Sequence, residues 1–279
     1  MTEKILVSYL SYVNNENNDR REVIFNTTLE SLKKLKKNDK SLSFLAIDNN
    51  SNQSTVSKLK NSEIFDYSIY LSKNYYDMSL LYYTAKVAIE KNIKYILYSY
   101  DDFEFYDFNF GSACINFLEN NLDVASIRMP ICDIDNMHLY NADITSKRIN
   151  PDATRHYNQP ARNQLDDYSL NIEGPFTHED KDFYKANWHY TSRPTLWRTE
   201  CFAKIFEDIP SDKMPVMQAF EGFAMKYFYK QGMKSSFINM GVSKTFTQSE
   251  RIHSGGHRHF ENIILTKESM DDHYNKTFK

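Results

Sequence analysis

The chain has 279 residues, of which 41% are hydrophobic and 25% charged, and its formal net charge is −3. A chain of this length can bury roughly three quarters of its unfolded surface, so it needs no disulfide or structural zinc to fold. The small net charge gives no general electrostatic case for binding nucleic acid or an anionic membrane. The three cysteines, Cys114, Cys132 and Cys201, form no CxxC pair and cannot all pair with one another, which is typical of a reduced, cytoplasmic protein.

Glycine is scarce: the chain contains 7, and the first is Gly111. The P-loop and the GxGxxG dinucleotide fingerprint both need glycines in an early βα turn, and the GxSxG nucleophile elbow needs them beside its serine. The sequence has none of these motifs and no HExxH zinc motif. We therefore expect side chains, with or without a metal ion, to bind the ligand.

The N-terminal segment is not expected to be a signal peptide. Residues 5–13 are fairly apolar, but serine and tyrosine interrupt them and no small-residue cleavage site follows. No window approaches the roughly 20 apolar residues of a membrane span. The sequence thus predicts a protein without a transmembrane segment.

The first half of the chain alternates apolar strands with amphipathic helices. Strands are predicted at Lys4–Tyr9, Leu42–Ile47, Tyr67–Leu71 and Ile93–Ser99, and helices at Arg20–Lys37, Ser54–Lys60 and Ser79–Lys91. Because this alternation is typical of βαβ units, we expect an α/β protein with a mostly parallel central sheet and helices on both faces.

The second half is less regular. Helices are predicted at Phe110–Glu119, Glu200–Phe206 and Glu221–Gln231, and strands at Val124–Met129, Trp188–Trp197, Ser236–Asn239 and Ser243–Thr247. The polar, proline-interrupted segment Ile134–Asp182 predicts a loop-rich insertion, and the residues from Arg251 predict a polar tail. With no repeat and no linker, residues 1–279 are expected to form a single domain with an irregular C-terminal lobe.

Acidic residues follow two of the predicted strands. Asp48 ends the second strand, and Asp101 and Asp102 follow the fourth. Open α/β sheets bind ligands at the carboxyl ends of their strands, so these acids are expected in one crevice. Two adjacent acids repel each other unless a cation or hydroxyl groups compensate. Mg²⁺ or Mn²⁺ prefers one or two carboxylates plus substrate phosphates, which favours a nucleoside diphosphate site. The alternatives are a turn residue at Asp48 and an acidic surface turn at Asp101 and Asp102.

Three turns in this order resemble those of an A-type (GT-A) glycosyltransferase, most similar to the large inverting family two. They cover residues 4–108 and read Asp48-Asn49-Asn50-Ser51, Lys73-Asn74-Tyr75-Tyr76 and Tyr100-Asp101-Asp102. The resemblance implies a nucleotide-sugar site that includes Asp48 on the base, Asp101 on the ribose and Asn74, with Asp102 on the metal ion.

The resemblance extends less completely to the second half. Members of the family have a strand that carries Arg or Lys, followed by a Glu-Asp pair that opens a helix. Arg193 fits the strand and would bind the nucleotide sugar, while Glu221 fits the helix and would be the general base. Gly222 replaces the expected Asp. The alternative for Glu221 is an acid favoured by the helix dipole.

Three histidines, His253, His257 and His259, surround the pair Gly255-Gly256. Their spacing could form a zinc site, and the resemblance implies His253 and His257 as ligands of the catalytic metal ion. A basic, aromatic tail is the alternative. The adjacent glycines predict flexibility or a close backbone approach, as in a flap over the donor diphosphate.

The resemblance implies an inverting glycosyltransferase that uses Mn²⁺ or Mg²⁺ and a nucleotide sugar, with a UDP-sugar as the first expectation. Residues 1–108 would bind the donor, and residues 109–279 would bind the acceptor and carry the base. A nucleotidyltransferase of related fold is an alternative, although its glycine-rich loop is missing. A non-catalytic module that binds nucleotide, sugar or nucleic acid is another, favoured by Gly222. Because the insertion is locally basic, a phosphorylated acceptor, including modified DNA, is a further alternative.

Overall fold

A computed structural model describes residues 5–13, 18–129, 172–186, 194–212, 214, 218–239, 242–245 and 265–278. Among these residues, no helix combines the length and the hydrophobicity needed to cross a membrane.

Between residues 5 and 100, the described part of the chain contains four strands and three helices. The strands are β1 (Ile5–Ser11), β2 (Leu42–Asp48), β3 (Tyr67–Tyr70) and β4 (Tyr95–Tyr100). The helices are α1 (Asn18–Asn38), α2 (Gln53–Asn61) and α3 (Tyr76–Glu90). Every residue of β1 and β2 is buried. Strands that are covered on both faces carry nearly continuous apolar runs, which is why their sequences predicted them well.

The described residues after β4 contain seven further strands and four helices. The strands are β5 (Phe103–Phe105), β6 (Val124–Arg128), β7 (Ile172–His178), β8 (Lys181–Ala186), β9 (Thr195–Arg198), β10 (Lys234–Ile238) and β11 (Ser243–Thr245). The helices are α4 (Gly111–Asn120), α5 (Thr199–Asp208), α6 (Gln218–Lys230) and α7 (Lys267–Thr277).

The described strands form a nine-stranded sheet in the order β3-β2-β1-β4-β9-β6-β10-β8-β7, while β5 and β11 form a separate ribbon. Strand β9 runs antiparallel to β4 and β6, and β8 runs antiparallel to β10 and β7. The remaining pairs are parallel, so seven of the nine strands point the same way. This confirms the mostly parallel sheet.

Helices cover both faces of the sheet. Side chains of β1 alternate between two apolar clusters, with Leu6 in one and Val7 in the other. The first cluster contains side chains from α3, α5, α6 and α7, and the second contains side chains from α1, α2 and α4. The predicted α/β architecture with helices on both faces is therefore confirmed.

The pairing register brings the predicted site together. Strand β1 lies between β2 and β4, with Ser11 opposite Asp48 and Leu10 opposite Tyr100. The turns that hold Asp48 and Asp101 therefore leave the same edge of the sheet, two strands apart, or about 10 Å at the usual strand spacing. We call this the carboxyl edge.

Two expectations about the second half were wrong. The predicted loop-rich insertion ends in the β7–β8 hairpin, whose first strand has no buried residue and so lacks a strong apolar pattern. The predicted polar tail contains α7, which begins with a capping box formed by Thr266 and Ser269. Helix α7 buries only Met270 and Tyr274, a stripe too narrow to raise its apolar content.

Candidate active site

Asp48 lies at the end of β2 and is 1% exposed. Its Oδ1 accepts a hydrogen bond from the hydroxyl of Ser11 at 2.9 Å, and its Oδ2 accepts one from the backbone N–H of Ser51 at 3.0 Å. Both donors are neutral, and a carboxylate can accept about four hydrogen bonds. Asp48 thus stabilises its own turn and retains acceptor capacity.

Asn49 joins the turn after β2 to the turn before α3. Its Nδ2 donates to Oδ1 of Asn74 at 2.5 Å and to the carbonyl of Tyr76 at 3.0 Å. Its Oδ1 accepts from the backbone N–H of Tyr75 at 2.8 Å. Sequence reasoning selected Asn74 and missed the buried Asn49, for which the sequence gives no signal beyond its place after Asp48. Asn74 is therefore part of a link between two turns of the site.

The linked turns include two residues in the left-handed region, Asn50 with φ 68° and Tyr76 with φ 57°. Asparagine tolerates this conformation, whereas for tyrosine it costs about 1–2 kcal/mol. Strain of this kind persists where neighbouring contacts fix the backbone, and here Oδ1 of Asn74 accepts from the N–H of Tyr76 at 2.7 Å.

Asp101, 5% exposed, follows β4 and is held at three points. Its Oδ1 accepts from Nη2 of Arg21 at 3.0 Å, and its Oδ2 accepts from the backbone N–H of Tyr12 at 3.2 Å. Its carbonyl accepts from the hydroxyl of Thr28 at 3.1 Å. Burial raises the pKa of Asp101 to about 6; Arg21 opposes this shift and Asp102 adds to it. Sequence reasoning missed Arg21, whose partner lies 80 residues away.

Asp102 differs from its neighbour because it is only half-buried. The ring of Tyr9, on the neighbouring strand β1, stacks on Phe65 with 6.0 Å between centroids. The Tyr9 hydroxyl is fully buried without a hydrogen-bond partner among the described residues. Burial, and after it the charge of Asp101, raises the pKa of Tyr9 well above its ordinary value. The acid pair therefore has a buried, anchored member and a member that reaches solvent.

The remaining predicted site residues lie partly or wholly outside the described part of the chain. Arg193, His253 and His257 are not among the described residues, and for Glu221 only the backbone position in α6 is described. Strand β11, however, places Thr245 opposite Phe103, so the chain leaves β11 next to Asp102.

Two stacked ring pairs pack α6 against β9 and α5. Phe228 stacks on Trp197 at 4.8 Å, and Trp197 pairs with Ile96 near the start of β4. Phe220, which directly precedes Glu221 in the chain, stacks on Phe206 at 5.7 Å. The first turn of α6, with the backbone of Glu221, therefore lies beside α5 on the face of the sheet that also carries α3.

Within the described part of the chain, no group of three or more His, Cys, Asp or Glu side chains could hold a metal ion by itself. The acid pair can supply one or two carboxylates. A hard divalent cation at this edge would need further oxygen ligands, such as those of a diphosphate.

Solved structures share this fold. A mannosyltransferase (PcManGT) from Pyrobaculum calidifontis, in complex with GDP-Man and Mn²⁺, has 9% identity and a TM-score of 0.50 over 83% of this chain and 53% of its own. S. aureus TarS 1-349 has 11% identity and a TM-score of 0.50 over 88% of this chain and 61% of its own. The chain thus spans between about half and three fifths of these proteins.

No protein-family model matches the sequence, and no curated protein is significantly similar to it. At identities of 9% and 11% the likeness to the two solved structures concerns the fold. It confirms the GT-A-type fold that the sequence predicted.

Proposed function

We propose that this protein is a glycosyltransferase that moves a sugar from a nucleotide sugar to an acceptor hydroxyl with the help of a divalent metal ion. The observation that carries this proposal is the clustering of Asp48, Asp101 and Asp102 at one edge of a GT-A-type sheet. Asp48 and Asp101 are 53 residues apart in sequence, and only the fold brings their two turns together.

The two buried acids suit the nucleoside. Asp48 would accept from an N–H of the base, since its protein donors leave part of its acceptor capacity unused. Asp101 would accept from ribose hydroxyls, and the Asn49–Asn74 link holds the neighbouring turn in place. A UDP-sugar is the first donor to test.

Asp102 is the residue that would hold Mn²⁺ or Mg²⁺. Asp102 is half-buried at the rim of the edge and reaches solvent, whereas Asp101 is buried. One carboxylate plus donor phosphates is a ligand set that these ions prefer. When bound, the ion supplies positive charge that offsets the charge on the departing diphosphate. His253 and His257, which follow β11, are proposed as further ligands.

Glu221 is proposed as the general base. It lies in the first turn of α6, where the family that the sequence resembles carries its general base, and a carboxylate can accept the proton of the attacking hydroxyl. A single displacement with one base would invert the anomeric centre. Arg193 is proposed on the donor, because the chain that follows it enters β9 beside β4.

A thermal-shift screen tests this function. The protein is incubated with UDP-, GDP-, dTDP- and CMP-sugars, each with and without Mn²⁺. We expect one nucleotide class to raise the melting temperature in a metal-dependent way. Asp123→Ala, which changes an acid paired with Lys185 and Lys234 away from the carboxyl edge, is the matched control and should respond as the wild type. No shift with any donor would contradict the proposal.

A further inference from the structure

We infer that Arg21 is a positioning residue for the donor: it holds the carboxylate of Asp101 so that this carboxylate can bind the nucleotide. The inference rests on the proposed function and extends it to a residue on α1. Arg21 contacts Asp101 directly, with 3.0 Å between Nη2 and Oδ1, and the two side chains are 17% and 7% exposed.

The placement of Arg21 is unfavourable for its helix. Arg21 lies in the first turn of α1, where the helix dipole disfavours positive charge by about 0.3–1 kcal/mol. Partial burial of the guanidinium adds a desolvation cost. The Asp101 carboxylate, in direct contact with the guanidinium, offsets both costs.

Arg21 belongs to a polar stripe on α1 that carries the whole acid turn. Thr28 lies seven residues later, about two helical turns, and its hydroxyl donates to the carbonyl of Asp101. Ser31, one turn further, accepts from the backbone N–H of Phe105 at 3.3 Å. The stripe of Arg21, Thr28 and Ser31 therefore fixes the segment 101–105 from one side.

The arrangement leaves Asp101 ready for a ligand. Arg21 holds one carboxylate oxygen and the Tyr12 N–H holds the other, so the plane of the carboxylate is fixed at two points. Each oxygen still has a lone pair for a hydroxyl donor. Without Arg21 the carboxylate would lose its charged partner, keep backbone N–H donors such as that of Tyr12, and face the like charge of Asp102.

Isothermal titration calorimetry with UDP, GDP, dTDP and CMP, each in the presence of Mn²⁺, tests the inference. Arg21→Met keeps an aliphatic stem and removes the charge. For the nucleotide that binds the wild type, we expect the affinity of this variant to be lower by at least about tenfold. This is the effect of losing a hydrogen bond to a charged group. In turnover assays the KM for the donor should rise more than kcat falls. Arg21→Lys restores the charge with a single ammonium group and should recover part of the affinity.

The matched control is Lys36→Met on the same helix. Lys36 pairs with Asp66 at 2.7 Å, away from the acid turn, so this variant should bind nucleotide as the wild type does. If Arg21→Met does not fold, Thr28→Val removes a milder contact of the same stripe and should weaken binding by about two- to fivefold.

The outcomes separate the two claims. Wild-type nucleotide affinity in folded Arg21→Met, even with a lower melting temperature, would show that the pair is merely structural and would overturn the inference alone. The inference is overturned in the same way if Thr28→Val is the folded variant and binds as the wild type. A wild-type protein that binds none of the four nucleotides would overturn the proposed function and the role of Arg21 with it.

Discussion

The ends of β2 and β4 each carry a buried acid, but the protein handles the two charges differently. Asp48 accepts hydrogen bonds from a hydroxyl and a backbone amide, both neutral. Asp101 accepts from a guanidinium as well as from an amide. The neighbours explain the difference, because Asp48 is followed by two asparagines whereas Asp101 is followed by Asp102. Two adjacent acids need a compensating cation, and a lone acid in a polar turn does not.

Under the proposed function, we infer separate tasks for the two ends from this difference. At the β2 end one acid has neutral donors, which suits the edge of a base, while the β4 end concentrates charge, which suits a metal ion and its phosphates. The distinction predicts that the two ends respond differently to substitution and to removal of the metal.

The largest effect is expected at the β4 end. Asp102→Ala should reduce metal-dependent turnover by at least about a hundredfold and leave the fold intact, because the half-buried carboxylate lies at the rim of the edge rather than in the core. Turnover with saturating Mn²⁺, compared with Asp123→Ala, measures this. Turnover equal to that of the wild type would show that Asp102 at the β4 end does not hold the metal ion.

Glu221→Gln separates binding from chemistry. Glutamine keeps the size of the side chain but cannot accept the proton, so we expect transfer to be lost while the calorimetric affinity for the donor stays unchanged. If the variant loses both transfer and affinity for the donor, Glu221 contributes to donor binding. Transfer at the normal rate would put the base elsewhere, with Asp208 and Asp212 the next acids to test.

A smaller effect is expected at the β2 end. Asp48→Ala should weaken nucleoside diphosphate binding by about 1–3 kcal/mol, the range for a charged hydrogen-bond partner. The loss should be the same with and without Mn²⁺, unlike that of Asp102→Ala, and this contrast tests the assignment of tasks. An affinity equal to that of the wild type would show that Asp48 stabilises its own turn and does not bind the nucleotide.

The smallest effect concerns the segment Arg251–His259, proposed as a flap over the diphosphate. Since the chain leaves β11 next to Asp102, binding at the β4 end should protect this segment. Limited proteolysis should show slower cleavage near Gly255 when nucleoside diphosphate and Mn²⁺ are both present. Equal rates with and without these ligands would rule out the flap.

The sequence predicted the strands and helices of the first half because buried strands and long helices have strong apolar patterns. It also predicted the shared edge of Asp48 and Asp101, since parallel strands end together. It could not predict Arg21, because a contact across 80 residues depends on how α1 packs. Helix α7 was missed because its inner face consists of two residues, Met270 and Tyr274.

The central claim is that the acids of the carboxyl edge serve the transfer of a sugar. Release of nucleoside diphosphate from each sugar donor by the purified protein, with Mn²⁺ and again with EDTA, tests it most directly. We predict release from one donor class that stops with EDTA and in Asp102→Ala. Tight binding of a nucleotide sugar with no metal-dependent release from any donor would contradict the claim and favour a non-catalytic binding module.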